Sequence, residues 1–259
     1  MIFKISSLKY IVCLTGILLA NLGYADENVE VMTAEGSVLV SDTAGKSKKP
    51  VQTKSILPPS NLLATGPTAR AVVRVGDSGF IIVGKNSQVE IDKSKNKEKS
   101  GFFKQISGVV YYAFNAVRGK QKPVEVRTAT TTIGIRGTRF LVTDVEGRNE
   151  IGMRKGNVNV ASPEGGEFEI HKQAQVDEFQ AFKQGIADGV AKNEKEFQDY
   201  KENTQKEFVE FKREFSLDAN RMASFDGKKV VEKELSDETK KDMDSFESYA
   251  EKWIKQVRD

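Results

Sequence analysis

The sequence predicts an α+β protein in which an antiparallel β-roll or sandwich-like domain is followed by a long α-helical C-terminal region. Three observations predict it. From about Val29 to Ile170, short β-branched or aromatic runs are closely punctuated by Gly, Pro, Asn and Asp. From about Ala174 that punctuation thins, and Glu, Lys and Gln dominate. Within this tail, phenylalanine recurs at intervals close to whole helical turns.

Residues 1–25 come first and read as a secretory signal peptide. Lys4 and Lys9 supply a positive start, Tyr10 to Ala20 form a short apolar run, and Gly23-Tyr24-Ala25 presents small residues for cleavage. A membrane span would need roughly 20 apolar residues. Cys13 lies inside the apolar run, so a mature chain starting at Asp26 contains no cysteine. Disulfides, thiol nucleophiles and cysteine-type zinc sites are thereby excluded, and burial with β-pairing must supply the stability. Loss of Lys4 and Lys9 lowers the formal charge from +3 to +1. That balance gives no electrostatic case for nucleic acid.

Residues 26–172 read as the β-domain. Val38 and Val40 alternate with Ser37 and Leu39. Ala71-Val72-Val73-Arg74-Val75 is followed by Gly76-Asp77 and then Phe80-Ile81-Ile82-Val83. Further runs are Val109 to Tyr112, Val124 to Val126, Phe140 to Val142, Ile151 to Met153 and Val158 to Val160. No segment between them carries a helical pattern long enough for a crossover, which favours a sandwich, barrel or roll. Two lysine-rich insertions, at Lys46 to Lys49 and Lys93 to Lys99, read as solvated hairpin loops, with an anchor for anionic surfaces as the alternative.

Residues 173–259 read as helical. Val176, Phe179, Ile186, Val190, Phe197, Tyr200, Phe208, Phe211 and Phe215 fall on one stripe. Asp177-Glu178-Phe179-Gln180-Ala181-Phe182-Lys183 is matched by Lys195 to Lys201 and again by Lys206 to Lys212, at offsets of 18 and 11 residues. A continuous helix from Gln173 to Phe215 would be about 65 Å long. A second helix is predicted from an N-cap at Ser236, with Asp237 and Glu238 in its first turn. Its stripe of Met243, Phe246, Ala250, Trp253 and Val257 would let it fold back on the first as a hairpin. The aromatic stripe of Phe179, Phe197, Tyr200, Phe208, Phe211 and Phe215 is expected to be covered by such packing, by coiled-coil-like self-association or by a partner.

The most specific local signature is Val126-Arg127-Thr128-Ala129-Thr130-Thr131-Thr132-Ile133-Gly134-Ile135-Arg136-Gly137-Thr138-Arg139-Phe140. It resembles the hallmark of FecR-type domains: a strand with a Thr-Pro pair, a glycine, Val-Arg-Gly-Thr and an aromatic. Glu35 to Val40 resembles the family's opening strand, Gly66 to Ser87 its central stretch, and Lys155 to Val160 its late Glu-Gly-x-Val-x-Val element. Ala129, Arg139 and Lys155 depart from the proline, acidic residue and glutamate common at those places. The family's iron-transport regulators carry a cytoplasmic anti-sigma segment and a membrane span before this domain. Here a signal peptide takes that place, so the resemblance implies the secreted, stand-alone class. Within the motif, Gly134 and Gly137 bracket Ile135-Arg136 as a bulge or tight corner, Thr138 can satisfy a nearby amide, and Phe140 returns to the core. Arg136 has two readings, a structural pin to a neighbouring strand and an anchor for an anionic ligand.

His171 is the single histidine, which argues against His-type zinc sites and a Ser-His-Asp triad. Nucleotide-binding glycine motifs are missing too. Acidic residues are spread along the chain, most of them as on solvated faces, and a carboxylate pair for glycoside hydrolysis stays open as the alternative. The resulting expectation is a non-enzymatic protein without cofactor, located in the periplasm or cell envelope of a bacterium. It would bind an envelope protein, a glycan or a membrane surface. The alternative is a periplasmic sensor or accessory of a FecR-like transmembrane signalling pathway. Cleavage after Ala25 is expected, and N-terminal sequencing of the exported product should return Asp26-Glu27; an intact Met1 would overturn both the leader and the exclusion of Cys13.

Overall fold

A computed structural model describes residues 28–92, 101–116, 124–163, 165–172 and 208–257. The signal peptide, the Lys93 to Lys99 insertion, and Phe179, Phe197 and Tyr200 lie outside the described residues. The N-terminal strands are β1 (Val29–Glu35), β2 (Val38–Asp42), β3 (Lys49–Pro50), β4 (Ile56–Leu57), β5 (Asn61–Thr65), β6 (Arg70–Val75), β7 (Gly79–Val83) and β8 (Gln88–Asp92). A long β9 (Gly101–Phe114) leads to β10 (Val124–Arg127), β11 (Thr132–Ile135), β12 (Arg139–Val145), β13 (Arg148–Lys155), β14 (Asn157–Ala161) and β15 (Phe168–Lys172). The C-terminal part adds β16 (Phe208–Lys212), β17 (Glu214–Asp218), β18 (Arg221–Asp226), β19 (Lys229–Glu234), α1 (Asp237–Tyr249) and α2 (Glu251–Ile254).

These strands make two sheets. The first runs β4-β1-β6-β7-β9-β12-β13-β18-β19-β15-β16. The second runs β3-β2-β5-β8-β9-β10-β11-β14-β17. Pairing is antiparallel except for β9 with β10 and β15 with β19. β9 belongs to both sheets: Phe102 to Ser107 pair in the second, and Gly108 to Phe114 in the first.

The main core lies between the sheets. Ile81, Val110, Tyr112, Phe140 and Val142 of the first face Leu63, Val89, Phe103, Val126, Ile133 and Val158 of the second. Tyr112 stacks on Phe140 with ring centroids 5.0 Å apart. A second core lies on the outer side of the first sheet, where Val72, Phe80, Ile82, Tyr111 and Leu141 meet Met243, Phe246, Ala250, Ile254 and Val257 of the C-terminal helices. This double cover explains the unbroken apolar runs such as Phe80-Ile81-Ile82-Val83, since both faces of β7 are buried. The second sheet lacks such a cover at β14, and Asn157-Val158-Asn159-Val160 alternates between exposed and buried.

Helix α1 starts where its cap demands. Ser236 Oγ accepts the Thr239 N–H at 3.2 Å, and Asp237 and Glu238 occupy the first turn. Among the described residues, its apolar stripe packs on the first sheet and on no preceding helix. Around the rim, Arg148 bridges to Glu238 at 3.1 Å, Arg154 pairs with Asp244, and the Arg70 guanidinium lies 5.6 Å from the Tyr249 ring centre. Exposed ion pairs contribute at most about 1 kcal/mol each, whereas each large apolar side chain buried beneath the helix contributes about 1.5–3 kcal/mol. Apolar burial therefore holds the helix down.

The expected long helical C-terminal region is overturned, because residues 208–234 form four strands that extend the two sheets. Phe208 and Phe211 lie on β16 and Phe215 on β17, so they share no helical face. The chain passes from the first sheet to the second at Arg213, and the four-residue step from Phe211 to Phe215 spans that corner. Phe215 and Leu217 then point inward at strand period, and Phe215 meets Phe168 with ring centroids 5.8 Å apart. Edges that β13 and β14 would otherwise leave unpaired are taken up by β18 and β17, which outweighs the weak local preference for helix. The described helices are short, so neither a helical hairpin nor a coiled coil of α1 with a preceding helix exists among the described residues.

Tyr111 and Tyr112 anchor the two cores from opposite faces of β9, and both are fully buried. Burial, reinforced at Tyr111 by its hydrogen bond to Glu247 and at Tyr112 by Asp144, pushes both phenols far above their ordinary 10.0. The folded chain thus keeps protons that the unfolded chain releases above that value, so stability is full below pH 10.0 and falls above it. Each tyrosine should contribute a slope of roughly 1.4 kcal/mol per pH unit there. Urea unfolding between neutral and strongly alkaline pH should show the decline, and Tyr112→Phe should make it shallower; an unaltered slope would count against the buried phenol.

Candidate functional site

Four strands of the second sheet, β10, β11, β14 and β17, present an outer face that no helix covers among the described residues. Their register places Glu125, Gly134, Asn159 and Ser216 side by side in one row across the sheet. Gly134 contributes no side chain to that row, and a groove of about 460 Å³ opens there, bounded also by Arg136, Asn157 and Glu214. Such a volume lies within the range of small-molecule sites, about 300–1,000 Å³.

The polar groups in the groove are partly tied to one another. The nearly buried Glu125 carboxylate accepts from Arg127 at 2.6 Å. Asn159 Nδ2 donates to Glu214 Oε2 at 2.9 Å. Arg136 is exposed and makes no ion pair among the described residues.

The remaining motif residues build the corner between β11 and β12. Gly137 has φ +102°, and a Cβ there would lie 2.3 Å from Ala116 Cα. Only glycine fits such a backbone and such an approach. Ile135 and Phe140 are buried in the inter-sheet core. Thr138 is buried too, and its backbone carbonyl accepts from Phe114 N–H at 2.9 Å, while its hydroxyl has no partner among the described residues. Upstream, Thr128 Oγ1 accepts from Thr131 N–H at 3.0 Å and closes the β10–β11 turn that begins beside Ala129.

Other singled-out residues lie elsewhere. His171 is buried on β15 with Nε2 2.8 Å from Glu169 Oε1, a local contact. Phe211 is 66% exposed on β16 beside Val209 at 44%. No group of three His, Cys, Asp or Glu suited to a metal ion occurs among the described residues. No described helix is long and apolar enough to cross a membrane. Sequence reading missed Glu125, Asn157, Asn159, Glu214 and Ser216 as groove residues. The alternating Asn157-Val158-Asn159-Val160 marked an exposed polar face, but nothing in the sequence paired β14 with β17.

The architecture is a two-sheet β-sandwich module carrying an open polar groove on one face and a helical cover on the other. Residues 61–159, from β5 into β14, match the family described as FecR protein. Two crystal structures of a candidate anti-sigma factor from Parabacteroides distasonis ATCC 8503, at 2.50 and 1.65 Å resolution, are similar at 13% identity with a TM-score of 0.42. Each similarity covers 67% of this chain and 59% of the other, so the chain spans less than two thirds of those proteins. No curated protein matches.

The two motif glycines make different demands. Gly137→Val should lower stability by at least about 2 kcal/mol, through backbone strain and the collision with Ala116. Thermal melting of the variant checks this, and an unchanged curve would remove Gly137 from the corner's requirements.

Proposed function

We propose that the chain is an exported, non-enzymatic interaction protein of a bacterial cell envelope, with its FecR domain as the binding module. The observation that carries this reading is the motif arginine, Arg136, exposed at an open polar groove rather than consumed inside the fold. A scaffold needs such a surface, and groups tied together as Glu125 is to Arg127 and Glu214 to Asn159 suit recognition better than proton transfer. The partner is an envelope protein, a glycan or a membrane surface. The FecR match supports a second reading, a periplasmic accessory of a FecR-like signalling pathway.

Cell fractionation combined with crosslinking in intact cells tests the first reading. The processed chain should travel with the periplasmic or envelope fraction and crosslink to an envelope component. A full-length product confined to the cytoplasm would overturn it. Altered transcription of sigma-factor-dependent receptor genes after deletion of the gene would favour the signalling role instead.

A further inference from the structure

We infer that the groove over Gly134 is a binding site for a short ligand bearing a single carboxylate, anchored by Arg136. The inference rests on the reading of the chain as an interaction protein and names the chemistry of its site.

The first argument is steric. A Cβ at Gly134 would come no closer than 3.8 Å to any neighbour, and the backbone there is ordinary strand. Nothing among the described residues requires glycine at this position. Its neighbour Gly137, by contrast, would collide at 2.3 Å. The absent side chain at Gly134 instead leaves a flat backbone floor between Glu125 on one side and Asn159 on the other.

Charge sets the ligand class. Arg136 presents a planar guanidinium without an ion-pair partner among the described residues, and that fork matches a carboxylate through two parallel hydrogen bonds. The lining also holds Glu125, paired with Arg127 just outside it, and Glu214, which accepts from Asn159. Among the described residues, with Arg127 counted beside the lining, two glutamates stand against two arginines, which leaves no surplus of positive charge there for a phosphate dianion or a polyanion. One carboxylate at the Arg136 end is the anion it can hold. Asn157, Asn159 and Ser216 supply neutral donors and acceptors along the rest of the ligand. Glu214 and Ser216 come from β17, outside the span matched by the family model, so the groove is completed by this chain's C-terminal part.

The carboxylate could belong to a peptide C-terminus or to an acidic sugar, and the test separates them. The purified exported chain is titrated with trialanine, trialaninamide, glucuronate and inorganic phosphate while backbone amide NMR signals are followed. A carboxylate probe should shift Gly134, Arg136 and Asn159, with trialaninamide and phosphate bound at least about tenfold more weakly. Response to trialanine assigns a peptide source, and response to glucuronate alone assigns a sugar acid. Arg136→Ala should weaken binding about tenfold or more, with Arg136→Lys recovering only part of it. Gly134→Val should abolish binding with an unchanged melting temperature. Equal binding of trialanine and its amide, indifference to Arg136→Ala, or no shift with either carboxylate overturns the inference. Because the titration uses purified protein, its failure leaves the fractionation result standing, and the reverse also holds.

Discussion

The passage of β9 from one sheet to the other is the constraint on which the rest of the structure depends. At Gly108, with φ +97°, the strand runs so close to Ser87 that a Cβ would lie 2.4 Å from its Cα. Polar groups fasten the bend from inside. Gln105, 1% exposed, donates to the Gly108 carbonyl at 3.0 Å and the Val142 carbonyl at 3.2 Å, and accepts from Tyr112 at 3.0 Å. Ser87 Oγ accepts the Val109 N–H at 3.0 Å. Stranding one such buried group costs about 1–3 kcal/mol, so the network specifies where the strand turns. Opposite it, the register of β8 slips by one residue, leaving Ile106 as the bulge.

From that crossing follows the unequal treatment of the two outer faces. Beyond the bend, β9 places Tyr111 and Ala113 on the outside of the first sheet, an apolar surface that cannot face water and is covered by α1 and α2. Before the bend, the second sheet continues through β10, β11, β14 and β17, whose outward residues are small or polar. One face therefore becomes a second core, and the other stays uncovered among the described residues. The C-terminal part serves both: its helices seal the first sheet, and β17 forms one wall of the groove.

The motif around Arg136 divides along the same line. Residues whose side chains point inward, Ile133, Ile135 and Phe140, belong to the core, and Gly137 turns the corner between sheets. Those pointing outward, Gly134 and Arg136, shape the surface. A single short stretch thus carries both a folding requirement and an exposed face, because strand geometry sends successive residues to opposite sides.

Much of this was legible in the chain itself. Short punctuated apolar runs announced the sheets, the Ile135 to Phe140 stretch announced the domain, and Ser236 followed by two acidic residues announced the last helix. These signals are local, so they survive without knowledge of partners. The strands between Phe208 and Glu234 were hidden, although Asp226-Gly227 between apolar segments is a hairpin signal and does join β18 to β19. Their aromatic spacing imitated helical turns because it bridged a corner between two strands. Only the tertiary structure decided that the free edges of β13 and β14 would take up that segment, and that Glu125, Gly134, Asn159 and Ser216, far apart in sequence, would stand in one row. Strand pairing is a long-range choice made by hydrogen bonds and shared burial, and a one-dimensional pattern does not encode which edge meets which.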